Sequence, residues 1–325
     1  MRNWNEIIGH ESIKNYLQEA VAKDKPSHAY IFNGGEGIGK RTMAEIFVKS
    51  LMCEGEGEAP CGICRACKQC DTGNNPDVFH VTHAKQAITV EDVRSQIIGP
   101  MEIKPYSSKY KVFIVDEAEK MNEAAQNALL KTFEEPPEYG IMILLTTNAD
   151  SFLETIRSRA VVLNFQLVGQ KEIVEFLMRE KRVPDYLAAN VAACANGCPG
   201  MAYHWIDDAE FQEELEECLR ILRKIERIDT PTAIDTARKW AKNKEDAYFF
   251  LNIFEIWLRD VLLIKSTGKS GKCLLKNEES YERGQASRKD YLELSRMLDK
   301  EADFRAKIKT NVNIESAAVD FLLNL

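Results

Sequence analysis

Gly34-Gly35-Glu36-Gly37-Ile38-Gly39-Lys40-Arg41-Thr42 follows the phosphate-binding pattern G-x-x-x-x-G-K-[ST] at Gly34, Gly39 and Lys40, and breaks it at Arg41. Ahead of it, His28-Ala29-Tyr30-Ile31-Phe32 is a short apolar run that predicts a buried strand. Behind it, Met43, Ile46, Phe47 and Ser50-Leu51 recur at helical spacing. In that setting Gly34, Gly37 and Gly39 allow backbone N–H groups to close on phosphate oxygens, helped by the dipole of the helix that follows. Lys40 is expected to reach the β- and γ-phosphates. A hydroxyl at position 41 would hold Mg²⁺, and a guanidinium cannot ligate a cation. Thr42 arrives one residue late, about 100° further round the helix. Glu36 places a carboxylate in the cradle. The stretch predicts a nucleotide-binding α/β fold with impaired catalysis and leaves ATP/Mg²⁺ open; a purely structural glycine turn is the plainer alternative.

The second informative run is Lys111-Val112-Phe113-Ile114-Val115-Asp116-Glu117. Four apolar residues ending in two acids suit a buried parallel strand that delivers carboxylates to its C-terminal edge. Asp116 would orient Mg²⁺ through water and Glu117 would polarise an attacking water. Such a run is weak alone but gains weight downstream of a phosphate loop. Further strands are predicted at 78–81, 141–148 and 161–165, with a helix over 123–132 stopped by Glu135-Pro136-Pro137. Asn148 ends the strand over 141–148 and is a candidate nucleotide contact. Thr89-Val90-Glu91-Asp92 predicts a helix start with a capping box. Trp4 and the residues up to His10 are expected to pack on the core, or else beside a nucleotide base.

Five of the nine cysteines lie between positions 53 and 70. Cys61-x-x-Cys64-x-x-Cys67 lets neighbouring thiolates point at one ion, and Cys53, Cys61, Cys64 and Cys67 are the expected ligands of a structural Zn²⁺. Cys70 is the spare and could stand in for Cys53. A redox pair is a weaker reading, because such pairs usually open a helix after a strand. His80 and His83 are expected to be ordinary strand residues, since four cysteines fill a tetrahedral site. Cys194 and Cys198 are expected in the core.

The chain has 325 residues, of which 45% are hydrophobic and 29% charged, with a net charge of −8. That balance argues against a stand-alone nucleic-acid binder, whose footprint would be basic. No long apolar run suggests a membrane span or an export signal, so a cytoplasmic protein is expected. After Gln166 strands give way to helices, which marks a boundary. The expected division is a core over 1–166 with the cysteine module at 53–70, a small helical lid over 167–208, and an all-helical domain over 209–325. Phe249-Phe250, Ile253-Phe254, Trp257-Leu258 and Val261-Leu262 form a stripe broad enough for a helix buried on several sides. Lys265–Lys272 contains Gly-Lys-Ser but lacks the first glycine of a phosphate loop, and reads as a basic loop.

Ala118-Glu119-Lys120-Met121, the run from Asn127 to Pro137, and Ile156-Arg157-Ser158-Arg159 resemble the bacterial clamp-loader AAA+ proteins, the gamma/tau and delta-prime subunits of DNA polymerase III. The inserted cysteine module belongs to the same resemblance, which is clear to about residue 205. It implies an AAA+ core with a RecA-like sheet, a helical lid and a C-terminal collar domain for oligomerisation. It also implies gamma/tau and delta subunits as partners, with the sliding clamp and primer-template DNA reached through the complex, and membership of a nucleotidyltransferase holoenzyme, the DNA-directed DNA polymerase. Motor subunits of that family carry Gly-Lys-Thr or Gly-Lys-Ser in the loop, and a sensor arginine where this chain has Gly200. With Ser158-Arg159 retained, the pattern resembles the family's non-motor, delta-prime type, in which Arg159 would act as an arginine finger on a neighbour's ATP. A gamma/tau-type ATPase is the alternative; a zinc-dependent DNA-binding regulator is the alternative from another class.

Overall fold

The computed structural model describes residues 3–82, 87–310 and 313–325. His83, and Asn311-Val312 ahead of the last helix, lie outside the described residues. The chain divides into two compact units: Met1–Gly169 with Cys198–Gly200, and Gln170–Gly197 with Met201–Leu325.

The first unit is built on strands β1 (Ala29–Asn33), β2 (Val78–Val81), β3 (Lys111–Val115), β4 (Gly140–Thr146) and β5 (Val161–Asn164). They form one parallel sheet in the order β2-β3-β4-β1-β5. Its helices are α1 (Glu11–Ala22), α2 (Lys40–Met52), α3 (Arg65–Asp71), α4 (Val90–Val93), α5 (Gly99–Met101), α6 (Glu123–Glu134) and α7 (Glu154–Arg157). A parallel sheet needs cover on both faces, so β3 and β4 are buried along their whole length. Strand residues alternate between the two covers. Tyr30, Phe32, Val112, Ile114, Ile143 and Leu145 pack with Leu17 of α1 and Met43 and Phe47 of α2. Ile31, Phe113, Val115, Met142 and Leu144 pack with Leu129 and Phe133 of α6. The predicted cap is present: Thr89 Oγ1 accepts from Asp92 N–H, and Asp92 accepts from Thr89 N–H. Trp4 is buried in the α1–α2 core and its indole N–H donates to Ala59 O, 3.0 Å away.

The sheet order puts β1 between β4 and β5, so the loop after β1 lies beside the ends of both neighbours. Register pairs Asn33 with Thr146 on one side and Asn164 on the other. The phosphate-type loop and the polar ends of β3, β4 and β5 therefore share one edge of the sheet, the edge at which open α/β sheets bind ligands.

The second unit is helical: α8 (Gln170–Lys181), α9 (Asp185–Cys194), α10 (Pro199–Trp205), α11 (Ala209–Arg223), α12 (Thr230–Lys242), α13 (Lys244–Thr267), α14 (Glu279–Arg288), α15 (Tyr291–Ile308) and α16 (Ile314–Leu323). The first residues of α10, through Gly200, group with the first unit. The broad stripe is the centre of this unit: Phe250, Leu251, Phe254, Trp257, Leu258 and Val261 of α13 are all buried. Trp240 packs on Phe250 at 4.9 Å and Phe304 stacks on Phe321 at 4.8 Å. The basic segment begins inside α13, which ends at Gly268 in the left-handed region with φ 69°, so Lys265–Thr267 are helical. Glu278 is buried and accepts a bidentate pair of bonds from Arg223 at 2.6 and 2.8 Å.

Candidate functional site

The loop after β1 has the backbone of a phosphate cradle. Gly37 and Gly39 take positive φ of 69° and 105°, which side chains rarely adopt. Gly34 is seated so closely that a Cβ would lie 2.8 Å from Cβ of Phe165. Gly39 caps α2, leaving the first amides of that helix facing the loop. Lys40 does not project outward: its ammonium donates to the carbonyls of Gly34 at 2.5 Å and Gly35 at 2.8 Å. Burial lowers its pKa, against the pull of Glu119, Asp116 and Glu36.

Arg41 lies at the point where the motif calls for a hydroxyl. Its Nη1 is 3.3 Å from Asp116 Oδ2 and its Nε is 3.5 Å from Glu45. The chain thus supplies its own fixed cation to the β3 acid that would otherwise orient Mg²⁺. Thr42 is half-buried in the first turn of α2. Glu117 sits at positive φ, 48°, and pairs with Lys120 at 2.7 Å. Asn148 is exposed, and its side chain accepts from Asp150 N–H at 3.0 Å. Phosphate oxygens fit the glycine backbone, whereas a Mg²⁺ site assembled from positions 41 and 116 does not fit these side chains.

The structure brings Sγ of Cys53, Cys61, Cys64 and Cys67 within 4.8 Å of one another. Cys53 follows the end of α2, Cys64 caps α3 and Cys67 lies in its first turn. Amides already point at the sulfurs: Cys61 N–H at Cys53, Cys64 N–H at Cys61 and Cys67 N–H at Cys64, at 3.3 to 3.4 Å. The N–H groups of Cys64 and Ile63 lower the Cys61 pKa to about 6, as a metal-ready thiolate needs. Gly55 makes room, since a Cβ there would be 2.6 Å from Cys61 Sγ. These four residues fit a tetrahedral ion of the zinc type. Cys70 lies outside the set: it accepts from Asn75 Nδ2, and burial pushes its pKa up to about 11. Beneath the module, buried Lys49 of α2 bonds both carboxylate oxygens of Asp71 at 2.7 Å and ties α3 to the core.

Arg157 and Arg159 flank Ser158 at the end of α7. Arg157 pairs with Asp150 at 2.5 Å. Arg159 is 38% exposed, donates to Thr155 O at 2.9 Å and lies 3.3 Å from Glu134 at the end of α6. It is a positioned guanidinium on the surface of the first unit.

A model of the family described as DNA polymerase III, delta subunit matches residues 9–168. DNA polymerase III subunit tau of Bacillus subtilis is 29% identical over 289 residues, covering 82% of this chain and 51% of that protein. Subunit gamma/tau of Mycobacterium tuberculosis is 37% identical over 177 residues, covering 54% of this chain and 30% of that protein. This chain belongs to the DNA polymerase III clamp-loader family. It spans about half the length, or less, of these curated relatives. A solved Thermotoga maritima structure, titled a DNA polymerase III gamma subunit-related protein, has 17% identity and a TM-score of 0.42 over 95% of this chain and 97% of that one.

Two features of the site have no local pattern in the sequence. Gly200 N–H donates to Gly37 O at 2.8 Å, and a Cβ on Gly200 would lie 2.8 Å from that oxygen. Gly200 therefore rests on the phosphate loop itself, with no space for a side chain. The pairing of Arg41 with Asp116 joins residues 75 positions apart in sequence; opposite charge at the two positions was visible, but only the β1–β4–β3 arrangement makes them neighbours.

Proposed function

We propose that this chain is a non-motor, delta-prime-type clamp-loader subunit that holds a place in a ring and offers Arg159 to ATP bound by an adjacent gamma/tau subunit. The observation that carries the reading is the Arg41–Asp116 pair at 3.3 Å, a guanidinium where a motor would need a Mg²⁺ ligand. Lys40 turned onto the loop carbonyls and Gly200 on Gly37 point the same way. Arg159 suits the role because a guanidinium stays charged and spans two phosphate oxygens in a fixed fork. In that assembly residues 167–208 act as a lid and 209–325 as the collar domain. The four-cysteine module holds a structural Zn²⁺, and the delta subunit, the sliding clamp and primed DNA are reached through the complex.

The test is ATP turnover by the purified chain alone and mixed with gamma/tau, with wild type and Arg159→Ala in parallel. No turnover alone, and about a 10³–10⁵-fold loss at the neighbouring site in the mutant with assembly intact, is expected. Steady hydrolysis by the chain alone that Lys40→Ala abolishes would overturn the reading. The retained Lys40, Asp116 and Glu117, with relatives named tau and gamma/tau, favour that second reading, a motor subunit.

A further inference from the structure

We propose that the helical unit contains a second metal site, formed by Asp260 of α13, Cys273 of the following loop and Glu282 of α14, that takes one divalent ion of the zinc type. Their ligating atoms all lie within 4.8 Å of one another. All three residues are buried, at 0%, 8% and 0% exposure. The decisive feature is Glu282, whose carboxylate oxygens are both sealed from solvent with no hydrogen-bond partner among the described residues. An ionised carboxylate is costly to bury unless a cation, a metal or hydrogen bonds compensate it.

The local charges point the same way. Glu278 is matched by Arg223, Glu279 by Arg283 and Asp260 by Arg259. Among the described residues, Glu282 has no such cation. A divalent ion bound to a Glu282 carboxylate and a Cys273 thiolate would bring that local sum to zero, with the thiol proton, and any proton on Glu282, released to solvent. Asp260 is pre-oriented: its Oδ2 accepts from the amides of Leu274 and Leu275 at 2.6 and 3.0 Å, and Oδ1 from Arg259 at 2.5 Å. Such outer bonds are what fix a carboxylate ligand. One sulfur and two carboxylates suit a borderline ion sooner than Mg²⁺ or Ca²⁺. Tetrahedral ligation would draw the ligand atoms to roughly 3.4 Å apart, which side-chain rotation supplies. The ion would fasten the loop between α13 and α14 to both helices.

The full chain is loaded with Zn²⁺, dialysed, and its metal content measured for wild type, Glu282→Gln, Cys273→Ser and the double variant Cys61→Ser/Cys64→Ser. Glu282→Gln and Cys273→Ser should each hold one ion fewer than wild type, and the double variant should keep that ion. Co²⁺ added to the double variant should give a thiolate-to-metal absorption band that Cys273→Ser removes. If Cys273→Ser does not fold, the near-isosteric Glu282→Gln decides the matter. Equal metal content in wild type and Glu282→Gln, with Glu282→Gln melting at higher temperature in metal-free buffer, would overturn the site. The comparison is a difference between variants, so it holds whether or not the four-cysteine module carries zinc and whether or not the chain is a motor.

Discussion

Arg41 stands where the phosphate-loop motif calls for a hydroxyl, and its guanidinium lies 3.3 Å from Asp116. The pair it forms with Asp116 is exposed and is therefore worth little to stability, about 0–1 kcal/mol. In the proposed non-motor reading its weight is functional, because it removes a hydroxyl ligand and neutralises a carboxylate at once. Arg41→Thr should strengthen Mg²⁺-dependent ATP binding by about tenfold or more, roughly 1.4 kcal/mol, in a fluorescent-nucleotide titration with and without Mg²⁺. Unchanged binding would place the obstacle at Lys40 or Gly200. Asp77 is a residue of the opposite kind, wholly structural. It is fully buried, and its carboxylate accepts from the amides of Tyr106, Ser107 and Ser108 at 2.6 to 2.8 Å. Burial alone would raise its pKa; these bonds outweigh it and hold the pKa below the ordinary 3.8. Protons thus bind the unfolded chain more readily, so the stabilisation is complete above the ordinary value and is lost as pH falls through the lower folded one. Asp77→Ala should cost about 2–4 kcal/mol at neutral pH in urea unfolding, with the difference from wild type shrinking in acid.

Among the elements, the cysteine loop and the start of α10 are set by close approach. A Cβ on Gly55 would meet Cys61 Sγ at 2.6 Å, so Gly55→Ala should lower zinc content while leaving the sheet's circular dichroism unchanged. Full zinc retention would show that the loop can give way. Helix α15 depends on its ends. Asp290 and Glu293 form a reciprocal capping box at 2.7 and 2.8 Å, and Asp290→Ala should cost about 1 kcal/mol of stability by chemical denaturation. The same logic made the box at Thr89 visible in sequence, whereas α4 and the turns after it gave no clear length. Short helical pieces carry too few periodic positions to declare where they stop.

At the scale of the molecule, two compact units make a single cooperative transition a poor expectation. Calorimetry should show two transitions, and Cys61→Ser/Cys64→Ser, which removes ligands from the four-cysteine module alone, should lower only that of the first unit; a shift of neither would argue that the module is stable without metal. The sequence by itself determined the α/β class, the strands, the cradle at Gly34–Lys40, the acids after β3 and the clustered cysteines. Each of these rests on local spacing: period two or three-point-six, glycines at fixed offsets, or CxxC steps. Tertiary structure alone decided that Arg41 meets Asp116, that Gly200 rests on Gly37, that Cys70 stands apart from the other four clustered thiols, and that Glu282 faces Asp260 and Cys273. Those facts join residues far apart along the chain. Their proximity follows from strand order and helix packing, which no local pattern encodes.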